Sequence, residues 1–99
     1  MALMIEKEQD ANVLTLRMEG RLDTTTAPQL ETEIKALNGV TSLTLDLAKL
    51  EYLSSAGLRV ILAAQKTMNQ QGEMVVRNVC EDIMEVFEIT GFSDILTIL

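Results

Sequence analysis

The sequence predicts a single α/β domain, an open mixed β-sheet with helices packed on it in the order β-β-α-β-α-β-α. Three observations carry that prediction. Segments with an apolar period of two alternate with segments whose apolar residues recur at three and four. The chain has 99 residues, the size of one domain and too short for two ordinary ones. Hydrophobic residues make up 47% of it against 23% charged, which suits a soluble globule with a core. No internal repeat, low-complexity tract or Pro/Gly-rich linker divides it, so residues 1–99 read as one unit.

The elements follow in chain order. Leu3-Met4-Ile5 opens a short apolar run suited to an edge strand. From Val13 to Glu19 the chain alternates, with Leu14, Leu16 and Met18 on one face and Thr15, Arg17 and Glu19 on the other, the mark of a half-buried strand. Gly20 and the polar run Asp23-Thr24-Thr25-Thr26 end it. That run supplies N-cap candidates, and Pro28 suits the first turn of a helix. Leu30, Ile34 and Leu37 then share one helical face, and Asn38-Gly39 closes that helix.

Ser42 to Leu47 is a second strand with Leu43, Leu45 and Leu47 on one side, and Ala48 to Leu53 reads as a connection. Ser54-Ser55-Ala56-Gly57 precedes a helix from Leu58 to about Asn69, with Leu58, Ile61, Leu62 and Met68 as its buried stripe, and Gln71-Gly72 stops it. Met74-Val75-Val76 is a short interior strand. A last helix starts within Asn78–Asp82, buries Ile83, Val86 and Phe87, and ends at Gly91; Ile95 to Leu99 forms a terminal strand or short helix. Met4, Met18, Met68, Met74 and Met84 read as core fillers, since an unbranched thioether fits irregular gaps.

Alternating strands and helices imply parallel neighbours and helical cover. Sites in such sheets lie at the carboxyl ends of strands, where the chain enters helices. Two segments fit, Asp23 to Thr26 and Ala48 to Gly57.

Composition excludes several functions. There are 8 basic residues against 15 acidic, a net charge of −7, and no Trp, with Tyr52, Phe87 and Phe92 as the only aromatics. Nucleic acid and anionic lipid surfaces both call for a basic face, so neither is an expected partner. With no histidine there is no Ser-His-Asp or Cys-His pair and no imidazole ligand, and a lone Cys80 makes neither a thiolate zinc site nor an internal disulfide. No Asp-rich loop has calcium-ligand spacing. The expectation is a protein that is not an enzyme, with no cofactor and no metal. The single thiol, short apolar runs and the lack of a signal-like N-terminus fit a cytoplasmic chain. Cys80 itself, near the start of the last helix, reads as an ordinary half-buried thiol.

Tyr52-Leu53-Ser54-Ser55-Ala56-Gly57-Leu58 carries the most chemistry. Two hydroxyls fall at a helix start, where unpaired backbone N–H groups and the positive end of the macrodipole favour an anion, phosphate among them. Small Ala56 and Gly57 leave the hydroxyls open to a partner. The plainer role for either serine is an N-cap. A nucleophile elbow does not fit, because glycine is missing two positions before each serine.

The chain resembles a STAS domain of the anti-sigma factor antagonist group. The matching pieces are Gly20-Arg21-Leu22-Asp23 with the threonines after it, Leu43-Thr44-Leu45-Asp46-Leu47, Tyr52 to Leu58, and Val86-Phe87-Glu88-Ile89-Thr90-Gly91-Phe92. They stand in the family's order and spacing and together span nearly the whole chain. The resemblance implies an anti-sigma factor antagonist that binds an anti-sigma factor serine kinase when unphosphorylated. It thereby frees a sigma factor, lets go once phosphorylated, and is reset by a phosphoserine phosphatase. By position the acceptor is Ser55. The family usually carries Asp just before it; Ser54 stands there instead and adds a second candidate hydroxyl.

Asp23, Thr24, Ser54, Ser55, Ala56, Gly57 and Arg59 form the candidate partner surface, Asp23 and Thr24 because both loops are expected at one sheet edge and Arg59 because it lies one turn into the helix. Turn chemistry at Asp23 and Thr24, and a solvated helix face at Arg59, are the structural alternatives. Asp46 reads as a hydrogen-bond acceptor for nearby loop N–H groups. Length and charge suit a monomer when free. The competing function is a STAS-like module that senses a small ligand such as a nucleotide, with no phosphoserine switch.

Overall fold

Burial alternates residue by residue through the centre of the sheet and sets its two faces. The computed structural model describes residues 3–99. In chain order it has β1 (Leu3–Asp10), β2 (Val13–Leu22), α1 (Ala27–Lys35), β3 (Ser42–Leu53), α2 (Ser55–Asn69), β4 (Glu73–Arg77) and α3 (Glu81–Thr90). A short 3-10 turn at Phe92–Asp94 follows. The sheet order is β1-β2-β3-β4, with β1 antiparallel to β2 and the other two pairings parallel. This is the expected open mixed sheet. Leu14, Leu16 and Met18 of β2, Leu43, Leu45 and Leu47 of β3, and Met74 and Val76 of β4 point into one core. Leu30 and Ile34 from α1, Leu58, Ile61 and Met68 from α2, and Ile83 and Phe87 from α3 close it. Thr15, Arg17, Thr44 and Asp46 lie on the opposite, partly open face.

Several boundaries differ from the sequence reading, each for a physical reason. Residues 48–53 are not a connection but the second half of β3. Between Arg17↔Asp46 and Glu19↔Lys49, and again between Gly20↔Leu50 and Arg21↔Tyr52, β3 advances one residue more than β2. Each extra residue is a bulge that flips the pleat, so Leu47, Leu50 and Leu53 all face inward at a spacing of three. That spacing hides the strand from a period-two reading. Gly20, with φ of 106°, sits at the second irregularity inside β2 and does not end it.

α1 ends at Lys35, so Leu37 is buried from the following turn, and Asn38-Gly39 lie beyond the helix. In α2 the half-covered Leu62 yields its place in the stripe to Gln65, whose Nε2 donates to Asn69 at 2.8 Å. Met18, Met68 and Met74 are buried fillers, Met84 is half-buried, and Met4 is 66% exposed on the edge strand. The terminal segment is strand-like at one bridge: Val76 N–H donates to Thr97 O and Leu99 N–H to Val76 O. α2 ends at Asn69 with Gln70 as its C-cap, just before Gln71-Gly72, and Gly72 has no room for a side chain because a Cβ there would run into the backbone of Thr41. No helix among the described residues is long and apolar enough to cross a membrane.

Candidate functional site

The bulges of β3 deliver its last residue straight to α2, with Ser54 alone between them. Ser54 has extended backbone and is the N-cap: its Oγ accepts from Gly57 N–H at 3.4 Å, and its carbonyl takes the first helical bond from Leu58. Ser54 N–H donates to Leu22 O at 2.9 Å, which ties the helix start to the end of β2. Ser55 is the first residue of the helix and is exposed. The two hydroxyls therefore separate: Ser54 is half-buried and engaged in the cap, while Ser55 faces solvent at the positive end of a 15-residue helix.

Gly57 is buried against the sheet. A Cβ there would lie 2.6 Å from Leu22 Cγ and 2.9 Å from Leu53 Cδ1. Only glycine lets the first turn of α2 sit this close to the strand ends, and that closeness sets where Ser55 emerges. Ala56 is half-buried. Arg59 is exposed and makes no ion pair among the described residues.

The 23–26 segment is a tight turn. Asp23 Oδ1 accepts from Thr25 Oγ1 at 2.7 Å, Thr25 N–H at 3.0 Å and Thr26 N–H at 3.2 Å. These donors, the Thr25 hydroxyl first, hold the Asp23 carboxyl below the usual carboxylate range. Buried Thr26 completes the turn: its hydroxyl donates to Arg21 O at 2.7 Å and accepts from Asp23 N–H at 2.8 Å. Asp23 is thus bound up in turn chemistry, whereas Thr24 is exposed. The Leu22–Ser54 bond sets the two segments side by side.

Asp46 accepts from Ala48 N–H at 3.0 Å and Asn78 Nδ2 at 3.1 Å. It braces the first bulge and the end of β4, since Ala48 belongs to the strand. Cys80 is exposed at the N-cap of α3, more open than its sequence context implied. Among the described residues no group of three or more Cys, Asp or Glu is placed to hold a metal ion.

Two residues of the sequence motifs, Arg21 and Tyr52, were not among the candidate site residues. The Arg21 guanidinium lies 4.1 Å from the centre of the Tyr52 ring, and its Nε is 3.6 Å from Asp23 Oδ2. The pair faces across β2 and β3 only because of the second bulge. A groove of about 390 Å³ also opens on the sheet, lined among others by Met4, Ile5, Arg17, Glu19, Ala48 and Lys49. None of its lining residues belongs to the 23–26 or 54–59 segments.

The profile of the STAS domain matches residues 4–99, so the chain belongs to the STAS domain family. It is 42% identical over 84 residues to the Bordetella bronchiseptica protein assigned as anti-sigma factor antagonist BtrV, covering 82% of this chain and 72% of that one. It is 34% identical over 95 residues to the anti-sigma-B factor antagonist of Listeria monocytogenes, covering 93% and 83%. Among solved structures, the Bacillus cell fate determinant SpoIIAA in its phosphorylated form superposes with a TM-score of 0.77 at 18% identity, covering 97% of this chain and 91% of that one.

Proposed function

We propose that this protein is an anti-sigma factor antagonist gated at Ser55. In this reading the unmodified chain binds an anti-sigma factor that is also a serine kinase and so releases a sigma factor. Phosphorylation of Ser55 ends the complex, and a phosphoserine phosphatase restores it. The single observation that carries the reading is the division of labour at the head of α2. The Ser54 hydroxyl is held as the cap while Ser55 stands exposed one residue on. The relatives' names and the phosphorylated state of SpoIIAA, a protein of the same fold, support it.

The gate needs no change of fold. A phosphate adds roughly −1.5 to −2 charge. At a helix N-terminus the free protein accommodates it. In a protein interface the same charge costs desolvation and repels facing acids, and about 3–4 kcal/mol there weakens binding by two to three decades. A binding module is also what a chain without histidine is equipped to be.

The test is incubation with ATP and the anti-sigma factor kinase encoded in the same genome, followed by mass spectrometry and a binding titration. Phosphate on Ser55, lowered affinity of the phosphorylated form and of Ser55→Asp, and retained binding by Ser55→Ala are expected. The competing reading, a ligand-sensing STAS module, draws on the groove away from Ser55. No phosphate incorporation, with equal binding by wild type and both variants, would favour it.

A further inference from the structure

The gate at Ser55 leaves Arg21 and Tyr52 without a role. Both side chains are open, Tyr52 at 41% and the Arg21 side chain at 40%, yet neither is loose. The guanidinium lies over the ring at 4.1 Å and is steadied from the side by Asp23 at Nε, 3.6 Å away. Asp23 is itself fixed by Thr25 and Thr26. The Nη groups of Arg21 donate to no acceptor among the described residues. An exposed cation–π pair and an exposed ion pair add little to stability. Three aromatic residues exist in the chain, and the one with a polar tip is held in water beside an oriented cation. Tyr and Arg are the residue types that concentrate binding energy in protein interfaces, and prior ordering lowers the entropy lost on docking. Both sit one residue before Leu22 and Leu53, whose successors are Asp23 and Ser54.

We infer that the Arg21–Tyr52 pair is the anchor through which this face docks its protein partner. The ring is covered by an apolar contact, and the free Nη edge donates to a carboxylate on the partner. The inference rests on the function proposed above and adds the chemistry of the surface being bound: an acidic side chain facing Arg21, next to an apolar one.

Titration of the purified anti-sigma factor kinase with wild type, Arg21→Ala, Arg21→Lys, Tyr52→Ala, Tyr52→Phe and Ser55→Asp tests this. Tyr52→Ala and Arg21→Ala are expected to weaken binding by about ten- to thirtyfold each. Tyr52→Phe, which keeps the ring, should recover most of the affinity. Arg21→Lys, which keeps charge but not the planar fork, should recover only part. Arg21→Ala should also flatten the salt dependence of association, an effect that a merely structural role does not produce. Circular dichroism checks the fold, and Tyr52→Leu replaces Tyr52→Ala if the latter unfolds. Affinities of both alanine variants within about twofold of wild type, with Ser55→Asp still weakened, overturn the anchor and leave the gate standing. A wild-type chain that does not bind the kinase overturns both.

Discussion

The Oγ of Ser54 accepts the amide hydrogen of Gly57 at 3.4 Å, and this bond distinguishes two adjacent serines. It is long for a hydrogen bond, so the cost of Ser54→Ala should fall at the low end of capping losses, about 0.5–1 kcal/mol in urea denaturation. Ser54→Asp replaces one good cap with another and adds a negative charge where the helix dipole favours it. Its stability should stay within about 0.5 kcal/mol of wild type. Both variants should still accept phosphate at Ser55, read by mass spectrometry.

Gly57 should not tolerate a side chain. Alanine raises intrinsic helix propensity by up to about 1 kcal/mol. Its Cβ, however, falls 2.6 Å from Leu22 Cγ and 2.9 Å from Leu53 Cδ1, and the clash outweighs that gain. Gly57→Ala should lose about 1–3 kcal/mol and Gly57→Val more, as a lowered Tm. Unchanged thermal stability in Gly57→Val would contradict this packing.

Asp23 gives the 23–26 turn a defined acid sensitivity. Its carboxyl is held below the ordinary range, chiefly by the Thr25 hydroxyl. A depressed native pKa stabilises the fold above the unfolded value of about 3.9, and that contribution drains away as pH falls through the lower native value. Thr25→Ala should move the Asp23 titration, followed by carboxyl NMR, up toward the ordinary value. It should also shrink the acid-side fall in Tm that Asp23 causes.

With one Tyr and no Trp, the protein's ultraviolet emission comes chiefly from Tyr52. The Arg21 guanidinium covers one face of that ring. Arg21→Ala should therefore raise collisional quenching of the emission by acrylamide, with no change in secondary structure by circular dichroism. Equal quenching in the two proteins would show that the stack does not persist in solution.

Much of this molecule is decided by residue pattern alone. Leu14, Leu16 and Met18 alternate because a strand with one buried face repeats every two residues, and Leu30 and Ile34 recur because a helix turns every 3.6. The element order, the family and the importance of the serine segment were readable at that level. Motif position already pointed to Ser55, but the exposure of its hydroxyl beside a capping Ser54 was not readable there, because a cap is a matter of where one hydroxyl points. The second half of β3 was hidden for a related reason. Its two extra residues make sense only against β2, and they turn Leu47, Leu50 and Leu53 inward at a period that belongs to no regular element. The same shift sets Tyr52 opposite Arg21. Local periodicity thus determined the elements and their sequence, since it follows from backbone geometry within each segment. Only the folded sheet decided the bulged register, the stacked pair and the exposed hydroxyl, because each depends on contacts between segments distant in the chain.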